Sequence, residues 1–211
     1  VKIAPLDLPG SLRFPSHSRG VVVFAHGSGS SRHSPRNVYV AEALRQAGFA
    51  TLLFDLLTSG EEVDRANVFD IPLLSNRLAA AVEWTANVEP TRTLPIGLFG
   101  ASTGAAAALV AAASFGDRIS AVVSRGGRPD LAADVLEQVG TPTLLIVGGN
   151  DIEVIRLNRA AFARLGGPKE LVIIPGATHL FSELGALDAV VDAARDWFER
   201  HLGRVQASAR R

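Results

Sequence analysis

The sequence predicts an α/β fold: a mostly parallel central sheet with helices on both faces and no large cap domain. Three observations carry that prediction. Short continuous apolar runs at residues 20–25, 49–54 and 142–147 have the length and composition of strands covered on both faces. Between such runs lie segments whose apolar residues recur at helical spacing, as over residues 73–86 and 187–202. The two kinds alternate along the chain, the pattern of a parallel sheet with crossover helices.

Taken in order, residues 1–8 and 11–14 read as edge strands, with Pro5 and Pro15 where a missing N–H costs little. The run 20–25 breaks into the glycine-serine loop His26-Gly-Ser-Gly-Ser-Ser31, which continues to Arg36. Asn37 is placed to cap a helix ending near Gly48. The strand 49–54 ends at Asp55, and a polar loop, 58–67, leads to the helix 73–86. A buried strand then runs into Gly100-Ala-Ser-Thr-Gly104 and an alanine-rich helix. Further strands are expected at 119–124, 142–147 and 170–174, with a short helix at 131–139, a longer one at 152–165 and a closing one at 187–202. A single domain over residues 1–205 follows, with 206–211 as a disordered tail.

Composition limits the function. The chain has 211 residues, 47% of them hydrophobic, which suffices for one well-buried core. Lys+Arg and Asp+Glu are both 21, so the formal charge is zero and a nucleic-acid partner is not expected. No apolar run is long enough for a bilayer span, so no membrane partner is expected. There is no secretory signal pattern, and cytoplasmic location is the default; a secreted chain already cleaved of its signal would present the same residues. With no cysteine, disulfides, thiolate metal sites and a cysteine nucleophile are excluded.

The chemistry centres on Ser102. A serine at a tight strand-to-helix turn needs small neighbours, and Gly100 and Gly104 supply them. Its hydroxyl stands beside the amino terminus of the following helix, where free N–H groups favour negative charge. A serine is a poor nucleophile without a base, and the base needs a carboxylate to fix its tautomer. In a parallel sheet such groups gather at the carboxyl ends of the strands. Three more loops there carry complementary residues: Asp151 after the strand 142–147, His179 after the strand 170–174, and the His26-Gly27 loop with its backbone N–H groups.

In that order and context the motifs resemble an α/β-hydrolase, most closely the dienelactone hydrolase-like group, over residues 20–202. Gly100-Ala-Ser-Thr-Gly104 matches the nucleophile elbow, Gly148-Gly-Asn-Asp151 the acid turn, Gly176-Ala-Thr-His179 the histidine loop and His26-Gly27 the oxyanion loop. Dienelactone hydrolases proper use a cysteine nucleophile where this chain has serine, which moves the expected substrate from a dienelactone towards ordinary esters. The resemblance implies that Ser102 attacks the carbonyl, His179 relays the proton and Asp151 orients His179. It also implies that the N–H groups of Thr103 and Ser28 form the oxyanion hole, with Gly27 the alternative to Ser28. Asp130 is the competing acid, and its other reading is a cap on the helix 131–139.

The remaining polar residues have two readings each. Arg125 and Arg128, with Arg32 and Arg36, either form a cationic rim for a carboxylate- or phosphate-bearing substrate or are solvated and ion-paired with Asp130, Asp134 or Glu62. Arg125 and Arg32 are the expected substrate contacts. His26 is expected to pack under the oxyanion loop and bond its backbone, and Asp55 to make a structural hydrogen bond. His17, His33 and His201 follow no late strand and are assigned no catalytic role. The expected activity is hydrolysis of short or accessible carboxylic esters through an acyl-serine, with a small-molecule ester as partner and no metal or organic cofactor. Thioesterase, lactonase and acyltransferase chemistry use the same triad. A non-catalytic hydrolase-fold sensor or partner domain is the alternative from another class.

Overall fold

A computed structural model of the chain describes residues 1–202; the tail expected at 206–211 lies outside them. Eight strands form one sheet in the order β1-β2-β4-β3-β5-β6-β7-β8. They are β1 (Lys2–Ile3), β2 (Leu8–Arg13), β3 (Val21–Ala25), β4 (Ala50–Phe54), β5 (Ile96–Ala101), β6 (Ile119–Arg125), β7 (Thr143–Gly148) and β8 (Lys169–Ile174). β1 and β2 run antiparallel at one edge, and every pair from β4 to β8 is parallel. The five strands β3 to β7 are almost wholly apolar and buried, because helices cover both of their faces.

Five helices provide that cover: α1 (Pro35–Gln46), α2 (Ile71–Asn87), α3 (Thr103–Phe115), α4 (Ile152–Arg164) and α5 (Ala186–Leu202). The chain steps one way across the sheet from β3 to β4, then the other way from β5 to β8. Right-handed crossovers therefore put α1 on one face and α2, α3 and α4 on the other. Helix α5 returns to the α1 face, where Trp197 and Phe198 are buried. Side-chain alternation follows: Val22, Phe24, Val123 and Ile146 pack on the α1–α5 side, and Val21, Val23, Val122 and Leu145 on the other. The reversal of strand order falls between β3 and β5, where a ligand crevice is expected at the carboxyl ends.

Several local expectations are corrected. Helix α1 starts at Pro35 with Ser34 at its N-cap, so Asn37 is a buried residue of the first turn and caps nothing. Proline at the first helical position accounts for the earlier start, since its fixed φ suits a turn whose N–H is unpaired anyway. Helix α2 begins at Ile71 for a similar reason: the Asp70 side chain accepts from the Leu73 N–H and Pro72 follows within the first turn. The segment between β6 and β7 is 3-10 helix over Pro129–Gln138 with a kink at Ala132. Asp130 does not cap it; its carboxylate pairs with Arg128 at 2.8 and 2.7 Å. No cap domain is inserted there.

Candidate active site

Ser102 sits between β5 and α3 with φ 51° and ψ −120°, a left-handed conformation that costs a non-glycine residue free energy. The neighbours show why the turn has its composition. A Cβ on Gly100 would lie 2.6 Å from the Gly104 carbonyl oxygen, and one on Gly104 would lie 2.5 Å from that of His26. The start of α3 therefore presses against the end of β3, and only glycine fits at both positions. Two backbone bonds lock the elbow: the Ser102 N–H donates to Arg125 O and the Arg128 N–H donates to Ser102 O, both at 3.2 Å.

The loop after β3 lies against the nucleophile. A Cβ on Gly27 would come within 2.9 Å of Ser102 Cβ. His26 holds this loop from below, with Nε2 accepting from the Leu56 N–H at 3.1 Å and Nδ1 at 3.0 Å from the Gly27 carbonyl. Since Nε2 accepts, Nδ1 carries the proton and donates. Burial, partly opposed by the Gly27 bond and by Asp55 and Glu62, moves the His26 pKa below its usual value, so the ring is neutral. A trans peptide points its C=O and N–H in opposite directions. Drawing Gly27 O to the His26 ring therefore turns the Ser28 N–H away from that ring. Ser28 and Thr103 line one cleft of about 630 Å³ together with His26, Gly27 and Arg36.

His179 and Asp151 meet across the adjoining turns, with Nδ1 2.7 Å from Asp151 Oδ2. The acid turn and the histidine loop are tied to each other: the Asn150 N–H donates to Ala177 O at 2.9 Å and its side-chain amide to Gly176 O at 2.8 Å. Glu183 braces the loop by accepting from the Thr178 hydroxyl at 2.6 Å and N–H at 3.1 Å. The Thr178 hydroxyl, then the Thr178 and Glu183 N–H groups, hold the Glu183 pKa below the usual carboxylate value. Gly126 connects the two halves. It follows Arg125, which accepts from Ser102 N–H, and a Cβ on it would lie 3.5 Å from His179 Cε1. Ser28, Ser102 with Thr103, Asp151 and His179 thus lie in the loops after β3, β5, β7 and β8, at the carboxyl ends of those strands, and of these Ser28 and Thr103 line the cleft.

The arginines divide. Arg32 is clamped by Asp55, which accepts from the Arg32 N–H at 2.7 Å and from its guanidinium. The alternative expected for it, an ion-paired arginine, is thus present, with Asp55 as the partner, and Arg32 is not among the residues lining the cleft. Arg128 is held by Asp130. Arg36 lines the cleft; Arg125 is buried, is not among the lining residues, and feels the charge of Arg36. His33 also lines the cleft. Among the described residues no cluster of three or more His, Cys, Asp and Glu is placed to hold a metal ion. Nor is any described helix long and apolar enough to cross a membrane.

The structural hydrogen bond expected of Asp55 is present, but its partner Arg32 was not foreseen, and a second support was missed. The Arg32–Asp55 pair joins loops after different strands, and only the register of β3 beside β4 brings them together. Asn158 on α4 is fully buried and donates its amide to Gly127 O at 3.0 Å and Val154 O at 2.8 Å, holding the turn after β6. A lone asparagine in a helical segment was the sole signal for it.

Comparison with known proteins agrees with this fold. Residues 20–167 match the family model described as the alpha/beta hydrolase fold. The crystal structure of a dienelactone hydrolase from Anabaena variabilis is 55% identical, covers 96% of this chain and 95% of that one, and superposes with a TM-score of 0.93. Est1E from Butyrivibrio proteoclasticus, solved with ferulic acid bound, shares the fold at 18% identity and a TM-score of 0.81, over 93% of this chain and 96% of that one. The chain belongs to the α/β-hydrolase family and, within it, to the dienelactone hydrolase-like group. A Mycobacterium tuberculosis protein named "Putative phosphoribosyl transferase" is 59% identical over 202 residues, which are 96% of this chain and 46% of that protein. The chain therefore spans about half the length of the curated relatives it matches.

Proposed function

We propose that this hydrolase-fold chain cleaves carboxylic esters with Ser102 as nucleophile, His179 as general base and acid, and Asp151 as its orienting carboxylate. The observation that carries the reading is the strained backbone at Ser102 beside the His179–Asp151 hydrogen bond of 2.7 Å. The sequence of events follows from those positions. His179 takes the hydroxyl proton as Ser102 attacks the ester carbonyl, and the oxyanion is received by the N–H groups of Thr103 and Ser28. Collapse expels the alcohol with the proton from His179. Water, deprotonated by the same ring, then releases the acid and restores the serine.

Substrate size is inferred from what surrounds the cleft. The segment Pro129–Gln138 between β6 and β7 is short, so accessible, short-chain esters suit the site better than long acyl chains. The name of the mycobacterial relatives covers a chain about twice as long, and the present reading rests on the residues of this half. The test is hydrolysis of a p-nitrophenyl ester series from acetate to palmitate by wild type and Ser102→Ala. Turnover highest on short chains and reduced in the variant by about a thousandfold or more supports the reading. Equal turnover by both proteins refutes it.

A further inference from the structure

Arg125 ends β6 two residues after Val123, so its side chain lies on the α1–α5 face of the sheet. It is 8% exposed, and its Nη1 is buried without a hydrogen-bond partner. No carboxylate among the described residues pairs with it. The charge it does feel is a like one: burial first, and Arg36 second, push its pKa down to about 10. Arg36 has a buried, unpartnered Nε and makes no ion pair among the described residues. Arg36 lies in the first turn of the twelve-residue helix α1, whose N-cap Ser34 makes no side-chain capping bond. That end of a helix is itself positive and carries free N–H groups. The neighbouring Asn37 Oδ1, buried and also unpartnered, is a neutral acceptor and cannot compensate a charge.

Two guanidinium groups near enough to repel each other, one of them in the first turn of a helix, thus lack a counter-charge among the described residues. A buried, unpaired charge is among the most destabilising arrangements in a protein interior unless an ion of opposite sign completes it. Arg36 also lines the cleft that Ser28 and Thr103 line, and Thr103 is the residue next to the nucleophile. We propose that Arg36 and Arg125, with the first turn of α1, form a binding site for an anionic group, a carboxylate or a phosphate, carried by the substrate of Ser102. The substrate assignment rests on the hydrolase reading above; the anion site does not. Glu62, an exposed acidic residue that also lines the cleft, forms no ion pair with either guanidinium group among the described residues.

The test has a binding arm and a kinetic arm. In the first, melting temperature is followed with succinate or inorganic phosphate against chloride at equal ionic strength. Wild type should be stabilised by one or both anions, and Arg36→Gln should lose that response. A rise with succinate alone assigns a carboxylate, and with phosphate alone a phosphate. Arg125→Met should melt above wild type in chloride, because it removes an uncompensated charge, and should not respond to the anions. In the second arm, kcat/KM is compared for p-nitrophenyl propionate, p-nitrophenyl hydrogen succinate and p-nitrophenyl 3-phosphonopropionate. The anionic-to-neutral ratio should fall by about ten- to a hundredfold in Arg36→Gln. No anion-dependent rise in wild type, with an unchanged ratio in Arg36→Gln, overturns the proposal. An Arg125→Met protein that melts below wild type in chloride and keeps the anion response overturns the role of Arg125. If no ester is turned over while the anion response is present and sensitive to Arg36→Gln, the site stands and the hydrolase reading falls.

Discussion

At the level of single residues, the site is built from groups held where they would not rest alone. Ser102 is kept at positive φ by glycines whose replacement would drive a methyl into backbone. Gly104→Ala should therefore cost about 3 kcal/mol or more, because the obstacles are the carbonyls of Ala25 and His26 and not flexible side chains. Urea unfolding of the variant would read this directly; a loss below 1 kcal/mol would mean that the elbow relaxes freely. His26 gives a second prediction. Its folded pKa lies below the unfolded value, so near pH 6 the unfolded chain binds more protons than the folded one. The contribution to stability is complete above about pH 6.5 and is lost as pH falls from there towards the folded value. Wild type should accordingly lose more melting temperature between pH 8 and pH 5 than His26→Gln. Parallel curves would assign the ring no linkage.

At the level of elements, the loops at the carboxyl ends of the strands do the positioning, and each is tied to its neighbour by one or two polar bonds. The loop after β3 hangs on the Asp55 carboxylate through Arg32 and on the His26 ring. Asp55→Ala should lower kcat/KM for a short ester by about tenfold through a misplaced Ser28 N–H, a fraction of what losing an oxyanion donor outright costs. An unchanged kcat/KM would show that His26 alone holds the loop. Much of this layer was legible in the sequence because it is local: the Gly-x-Ser-x-Gly turn, the apolar runs and the glycine-bounded ends of the helices are written in consecutive residues. Asn37 and Asp130 were misread as caps because a neighbouring proline or arginine decided the matter: Pro35 started α1 early, and Arg128 claimed the Asp130 carboxylate. The Arg32–Asp55 anchor and the unpaired state of Arg125 were illegible. Both depend on which strand lies beside which, and on where every carboxylate finally points.

At the level of the whole molecule, one sheet carries every site loop, and the two buried faces keep those loops in register. Helix α5 seals the β5–β6 side by burying Trp197 and Phe198, and a Cβ on Gly97 would touch the Phe198 ring at 2.7 Å. Phe198→Ala should destabilise the protein by about 3–5 kcal/mol, read by urea denaturation. Trp197 fluorescence and far-ultraviolet circular dichroism should fall together in that experiment, since α5 packs on the strands that hold Ser102. Separate transitions would mean that α5 opens as an independent unit. Most ion pairs on this surface, such as Arg118 with Glu83, are half-exposed and add little to the total. The stability of the site is thus a property of the sheet and its two apolar covers.

The central claim is that this fold carries a working nucleophile at Ser102. The measurement that tests it most directly is reaction with a fluorophosphonate followed by peptide mass spectrometry. One adduct per chain is expected on Ser102, with none formed by Ser102→Ala and slow formation in His179→Ala. Folded protein that takes up no label, or label found on a different residue, would contradict it.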